Sequence, residues 1–141
     1  MFDTKIKNIL LEKPVVTNPA DVLKIKKMAE NWIGKIWVGM EYRYMAPIAE
    51  LLKEIQKGTI GISWMMTVRE HRNPFLKKVD DWNRFHVKTG GTLVEKCCHF
   101  FDLMRLIVKS EAEKVYASGN QDVNHLNEIY NQKSPDILDN D

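Results

Sequence analysis

Three side chains with complementary proton chemistry, Glu95, His99 and Asp102, recur at i, i+4 and i+7. On a continuous helix that spacing brings a carboxylate, an imidazole and a second carboxylate onto one face. Such a line can position a hydroxyl and move its proton. The plainer alternative is the solvated face of an amphipathic helix with an incidental ion pair. Gly90-Gly91 lies just upstream and favours the chemical reading, because paired glycines let backbone approach a neighbour or ligand closely. Lys13 stands in Glu12-Lys13-Pro14 at the carboxyl end of an apolar run, the edge where open α/β sheets bind ligands. A solvated lysine in a turn is the competing reading. Pro14 can adopt the cis isomer that tight turns use, although most X-Pro bonds are trans.

Cys97, Cys98, His99 and Glu95 also contain zinc-ligand types, but adjacent cysteines on a helix point about 100° apart and no Cys-x-x-Cys pair exists. The expectation is no metal site. His71, His86 and His125 are isolated and read as surface or loop residues.

The elements that must position these groups follow from periodicity. Ile6 to Leu11 ends in a continuous apolar run, which suits a strand covered on both faces of a parallel sheet. Asn18-Pro19-Ala20-Asp21 supplies a cap oxygen, a first-turn proline and an acid, followed by Val22, Ile25, Met28, Ala29 and Trp32 at helical spacing. Ile36 to Met40 reads as a second buried strand and completes a βαβ unit. Pro47 opens another helix through Ile48, Leu51, Leu52 and Ile55, with Gly58 at its left-handed end. From Ile60 to Arg69 the period becomes two, predicting a strand with one face toward a core. Residues 70–89 lack steady periodicity and read as a long loop. A helix is predicted from about Thr92 to Val108, with an apolar stripe of Leu93, Cys97, Phe100, Phe101, Met104 and Ile107. Lys114 to Ser118 reads as a short strand, and residues beyond Gly119 as loop.

The chain has 141 residues, 21 Lys+Arg against 19 Asp+Glu, 44% hydrophobic and 28% charged. This composition fits one soluble globular domain and excludes a disulfide scaffold or a disordered polyampholyte. Residues 1–119 hold 20 basic and 14 acidic groups, whereas residues 120–141 hold 1 and 5, so a basic body precedes an acidic tail. The basic residues are dispersed among acids, which argues against a nucleic-acid partner. No apolar run approaches the roughly 20 residues of a membrane span, and Met1 to Asn8 lacks a signal peptide's apolar region. Two adjacent cysteines suit reduced thiols and a cytosolic or mitochondrial address, and the expected location is cytoplasmic.

The order of Glu12-Lys13-Pro14 after a strand, Arg43-Tyr44 before Pro47, Gly58-Thr-Ile-Gly61, Trp82, and Gly90-Gly91-Thr-Leu-Val-Glu95-Lys-Cys-Cys-His99-Phe-Phe-Asp102 resembles the glucose-fructose oxidoreductase/inositol dehydrogenase/MocA (Gfo/Idh/MocA) family. The resemblance implies an α/β fold in which a Rossmann domain precedes an α/β domain with a large open sheet. It implies NAD or NADP as cofactor and a small polyol, sugar or carbonyl compound as substrate. It also implies that Lys13, His99 and Glu95 are catalytic, that Asp102 binds substrate, and that Glu12, Lys13, Pro14 and Arg43 lie at the cofactor. Two positions depart from the family pattern, Glu95 where Asp is usual and Cys97 where Gly is frequent.

By the same resemblance, residues 1–44 correspond to the last part of a Rossmann domain, 45–119 to part of the second domain, and 120–141 to an acidic tail short of the remaining sheet strands. The seven glycines, at 34, 39, 58, 61, 90, 91 and 119, form no Gly-x-Gly-x-x-Gly turn. The pyrophosphate of a dinucleotide would lack that turn's donors. The expectation is therefore a family member truncated at both ends and inactive alone. The alternative is a non-catalytic remnant or interaction protein, a homo-oligomer or a chain that pairs with a full-length relative through a sheet edge.

Overall fold

A computed structural model of the chain describes residues 7–71, 76–120, 127–130 and 132. The predicted βαβ unit is present. Strand β1 (Asn8–Leu11) and strand β2 (Lys35–Val38) pair in parallel with Ile9 opposite Ile36 and Leu11 opposite Val38. Helix α1 (Pro19–Glu30) crosses between them, its N-terminus capped by Asn18, whose Oδ1 accepts from the Ala20 amide at 2.9 Å. The Trp32 indole donates to the Lys7 carbonyl at 3.0 Å and ties the end of the crossover to the start of the strand.

The strands are not covered on both faces, contrary to the expectation from their apolar runs. Ile9 and Leu11 are half-buried, whereas Leu10 and Trp37 on the opposite face are exposed. A continuous apolar run records that both faces favour burial; it supplies no layer to bury the second face.

A 3-10 turn at Glu41–Tyr44 follows β2 and leads into helix α2 (Ala46–Gln56), with Pro47 in its first turn. Gly58 lies just beyond α2 at φ +80°, as its position predicts. Ile60 to Arg69 departs from expectation: it forms no strand, and Trp64 is 88% exposed. Alternation makes a segment competent to pair, but a strand forms only when a neighbour supplies ladder partners, and no described residue does. Lys114 to Ser118 likewise forms no strand.

Residues 70–89 are more ordered than a loop. Among those described, Val79–Arg84 forms 3-10 turns, with Asp80 and Asp81 in left-handed conformations, and His86–Thr89 forms the single-turn helix α3. The predicted helix from Thr92 to Val108 is broken into α4 (Gly91–Glu95) and α5 (Cys98–Val108). Among the described residues, Phe85, Leu103 and Ile107 are the buried apolar side chains, joined by Asp81, Thr89 and His99. The best-covered line on α5 is thus His99, Leu103 and Ile107 at i, i+4 and i+8. Leu93 and Phe101, expected in the apolar stripe, are exposed. No described helix is long and apolar enough to cross a membrane. Apart from residues 127–130 and 132, the acidic tail, His125 included, lies outside the described residues.

Candidate active site

The site is assembled where the carboxyl ends of both strands meet the break between α4 and α5. Gly90 and Gly91 make the approach possible. Gly90 ends α3 and begins α4 at φ +73°, a conformation that side chains disfavour. A Cβ at Gly90 would lie 2.9 Å from the Thr17 carbonyl oxygen, and one at Gly91 2.6 Å from His86 Nδ1. The loop after β1 is therefore packed against bare backbone.

The helix break exposes a useful acceptor. The amides of Lys96 and Cys97 both donate to the Thr92 carbonyl, at 2.9 and 3.1 Å. The His99 amide, which an unbroken helix would aim at Glu95, donates to Lys96 instead at 3.3 Å. Glu95's carbonyl accepts the Lys13 ammonium at 2.7 Å, and its side-chain Oε1 lies 3.3 Å from the same nitrogen. Both side chains are largely covered. The Cys98 thiol donates to the same carbonyl at 3.7 Å. Lys13 thus reaches across from β1 and is held immediately beside the turn that carries His99. The Lys13–Pro14 peptide is cis.

His99 is 1% exposed, the best-covered large side chain among the described residues. It does not belong to a solvated line with Glu95 and Asp102, because the kink removes Glu95 from its helix and the ring turns inward. Tyr42 stacks on it with centroids 4.2 Å apart and planes 3° from parallel. Glu41 Oε1 lies 3.3 Å from His99 Nε2, and Nδ1 is buried with no partner among the described residues. Asp102 is gripped by Arg43: Nε donates to Oδ2 at 2.6 Å, and Nη2 contacts Oδ1. This fork ties the turn after β2 to α5. Arg43, expected at the cofactor, commits two of its five donors to that pair.

Burial pushes the His99 imidazole below its ordinary value of 6.5; Glu41 and Asp102 oppose the shift, while Lys13 and Lys96 reinforce it. The folded chain therefore holds a neutral ring where the unfolded chain binds a proton. Stability from this group is fully present above pH 6.5 and is lost as the pH falls from there through the folded value. Urea midpoints measured from pH 7.5 to 5 are expected to decline across that window, and His99→Gln is expected to remove this component; equal midpoints for the native chain throughout would contradict it. Burial also raises the Cys97 and Cys98 thiols, in Cys98 against the pull of Lys13. Both cysteines are free. No cluster of three or more metal-ligand side chains occurs among the described residues. His86 packs beside Gly91, and His71 lies in the irregular segment after Arg69.

The site brings together Lys13, Glu95 and His99, with Asp102 beside them on α5, whereas Glu12 and Pro14 flank Lys13 on the chain. Sequence reasoning missed Glu41 and Tyr42. The signal was present, since both follow the carboxyl end of β2 as Lys13 follows that of β1. The concavities of about 400 and 390 Å³ at Arg43–Glu111 and along Pro14–Met28 do not enclose His99, whose ring is covered by its own neighbours.

Residues 53–137 match the model of an oxidoreductase family's C-terminal alpha/beta domain, Gfo/Idh/MocA. The YteT protein of Bacillus subtilis (strain 168), named an oxidoreductase, is 31% identical over 119 residues, covering 79% of this chain and 27% of that protein. The myo-inositol 2-dehydrogenase of Thermotoga maritima is 26% identical over 80% of this chain and 32% of its own length. The inositol 2-dehydrogenase of Rhizobium meliloti (strain 1021) is 28% identical over 79% and 32%. The chain thus spans about a third or less of these relatives. The matched segment contains Glu95, His99 and Asp102, and on that evidence the chain belongs to the Gfo/Idh/MocA oxidoreductase family.

Proposed function

We propose that this chain carries the proton-handling half of an NAD(P)-dependent oxidoreductase acting on a polyol, sugar or related carbonyl compound. The convergence of the Lys13 ammonium on Glu95, beside the turn bearing His99, carries this reading. Two inositol dehydrogenases among the relatives favour a polyol. Residues 1–44 are assigned to the last part of a Rossmann-like domain, and 45–119 to part of the substrate domain.

Lys13 has three N–H donors, of which Glu95 takes two. The third binds the reacting oxygen and stabilises its developing negative charge. His99 takes the hydroxyl proton during oxidation and returns it during reduction. Glu95 holds the ammonium in place. Asp102, locked by Arg43, uses its remaining lone pairs to hold a neighbouring substrate hydroxyl, so selectivity rests on buried polar pairing. Arg43 and the stretch Glu12 to Pro14 lie toward the cofactor. The nicotinamide cofactor supplies the hydride acceptor. Lys13 at the strand edge fits its reactive end, while these 141 residues contain no Gly-x-Gly-x-x-Gly turn for its pyrophosphate. A reducing, cytoplasmic setting suits the two free thiols.

A second reading is favoured by the exposed Ile62, Trp64 and Met65, namely that the chain pairs with another copy or a longer relative without catalysing a reaction. One experiment separates the two. The chain, completed to the length of its relatives, is incubated with NAD⁺ or NADP⁺ and a panel of cyclitols and sugar alcohols. Oxidation of at least one, seen as reduced nicotinamide absorbance, is expected; none with any pair refutes the enzymatic reading. The unextended chain is expected to give no heat of NAD(H) or NADP(H) binding by calorimetry, and micromolar affinity would overturn the assignment of its missing turn.

A further inference from the structure

We infer that the turn Glu41–Tyr44 is a gate over His99, latched shut by Arg43 and Asp102, and that the imidazole is uncovered only when this turn moves as a unit. The purpose of the gate rests on His99 being the base of the proposed reaction; the movement does not. A ring that is 1% exposed and opens on neither described concavity cannot meet a substrate where it stands. One of its covers must move. Of the groups that face it, Lys13 and Asp102 are themselves largely covered, and displacing either would break into the interior. Tyr42 and Glu41 form the outer layer. Tyr42 is half-buried and lies flat on the ring with centroids 4.2 Å apart, and the exposed Glu41 brings Oε1 to 3.3 Å from Nε2. Both belong to one short turn, so a single movement bares a face and an edge of the imidazole.

The turn is weakly closed between two firm ends. On one side the hydrogen bonds between β1 and β2 run on to Gly39, whose amide donates to the Leu11 carbonyl at 2.7 Å; on the other, α2 opens with the Ala49 amide on the Met45 carbonyl at 2.8 Å. The bonds that bound the turn itself are longer, from the Arg43 amide to the Met40 carbonyl and from the Met45 amide to the Tyr42 carbonyl, both 3.3 Å. No side chain caps it. Met40 and Met45, with non-helical backbone at its two ends, are the hinges. The Arg43–Asp102 fork supplies the charge-assisted bonds that hold the turn against α5. Solvent reaches this latch where it does not reach His99, because both residues line the concavity of about 400 Å³ together with Arg105, Lys109 and Glu111. A polyhydroxyl ligand there meets one acceptor and one donor, and its hydroxyls can satisfy both when the fork parts.

Diethyl pyrocarbonate, which acylates neutral imidazole, reads the gate in the full chain without substrate or turnover. Acylation of His99, followed by peptide mass at pH 7.5, is expected to be slower than that of the exposed His71 and to be unchanged by low urea, because a four-residue turn exposes little surface when it opens. A His99 rate that climbs from zero urea with the full unfolding slope would mean that only global unfolding uncovers the ring, and would overturn the inference. Arg43→Gln is expected to speed acylation by about tenfold or more, the loss of charge-assisted bonds, and by more than any fall in its urea midpoint explains. Tyr42→Ala is expected to do the same, and Tyr42→Phe to keep the native rate, since the ring and not the hydroxyl is the cover. Native rates in both Arg43→Gln and Tyr42→Ala also overturn it; should either variant fail to fold, the urea series on the native chain still decides. If His99→Asn retains full hydride transfer in the chain completed to the length of its relatives, the parent reading fails instead, and the acylation rates distinguish the two.

Discussion

Replacing Lys13 by Met, or His99 by Asn, lowers turnover by about 10²–10⁴ in the chain completed to the length of its relatives, measured as nicotinamide reduction at saturating polyol. Methionine keeps the length and apolar stem of Lys13 and removes only the ammonium. On the proposed reading, what is lost is a donor for the oxygen where negative charge develops. Asparagine preserves polarity at position 99 but cannot take a proton. Both proposed roles act in the transition state, so kcat and kcat/KM are expected to fall together while KM changes little. A variant at either position with near-native turnover would dismiss that residue from the chemistry. A rise in KM alone would reassign it to ground-state binding.

Leu103→Ala lowers the unfolding free energy by about 2–5 kcal/mol, whereas Phe101→Ala changes it by about 1 kcal/mol or less. Leu103 is 5% exposed, and its truncation removes buried apolar volume from the face of α5 that also carries His99 and Ile107. Phe101 is 51% exposed and surrenders little buried surface. The comparison is severe for a protein whose whole margin is of order 5–15 kcal/mol. Urea titrations at pH 7.5 with a common slope supply both numbers. Equal losses at the two positions would mean that α5 faces its core through the other stripe, and would withdraw the burial of His99 with it.

Local chemistry made much of this architecture readable. Asn18-Pro19 marks the start of α1 because a cap oxygen and a fixed φ act within one turn, and Gly58 marks the end of α2 for the same reason. The place of Lys13 just past the carboxyl end of β1 was legible from the apolar run before it. The stripe on α5 was not. Phe100 and Phe101 outweigh His99 on any hydropathy scale, and only the surroundings decide that a stacked, paired imidazole lies inside. The break after Glu95 was equally hidden, because no Gly or Pro marks it; it appears as two amides sharing one carbonyl. Ile60 to Arg69 shows the converse, an alternation with no neighbour among the described residues to pair with.

The 2.7 Å bond from Lys13 ends on a main-chain oxygen, and that has a genetic consequence. A tether made of backbone is spelled by no codon, so every residue type at position 95 leaves it in place while only the reach of the side chain changes. Exchange of Asp for Glu there can therefore drift without dislodging the amine. Position 95 can thus exchange one acid for the other, and what the exchange alters is the side-chain contact to the ammonium, at 3.3 Å, and not the main-chain one.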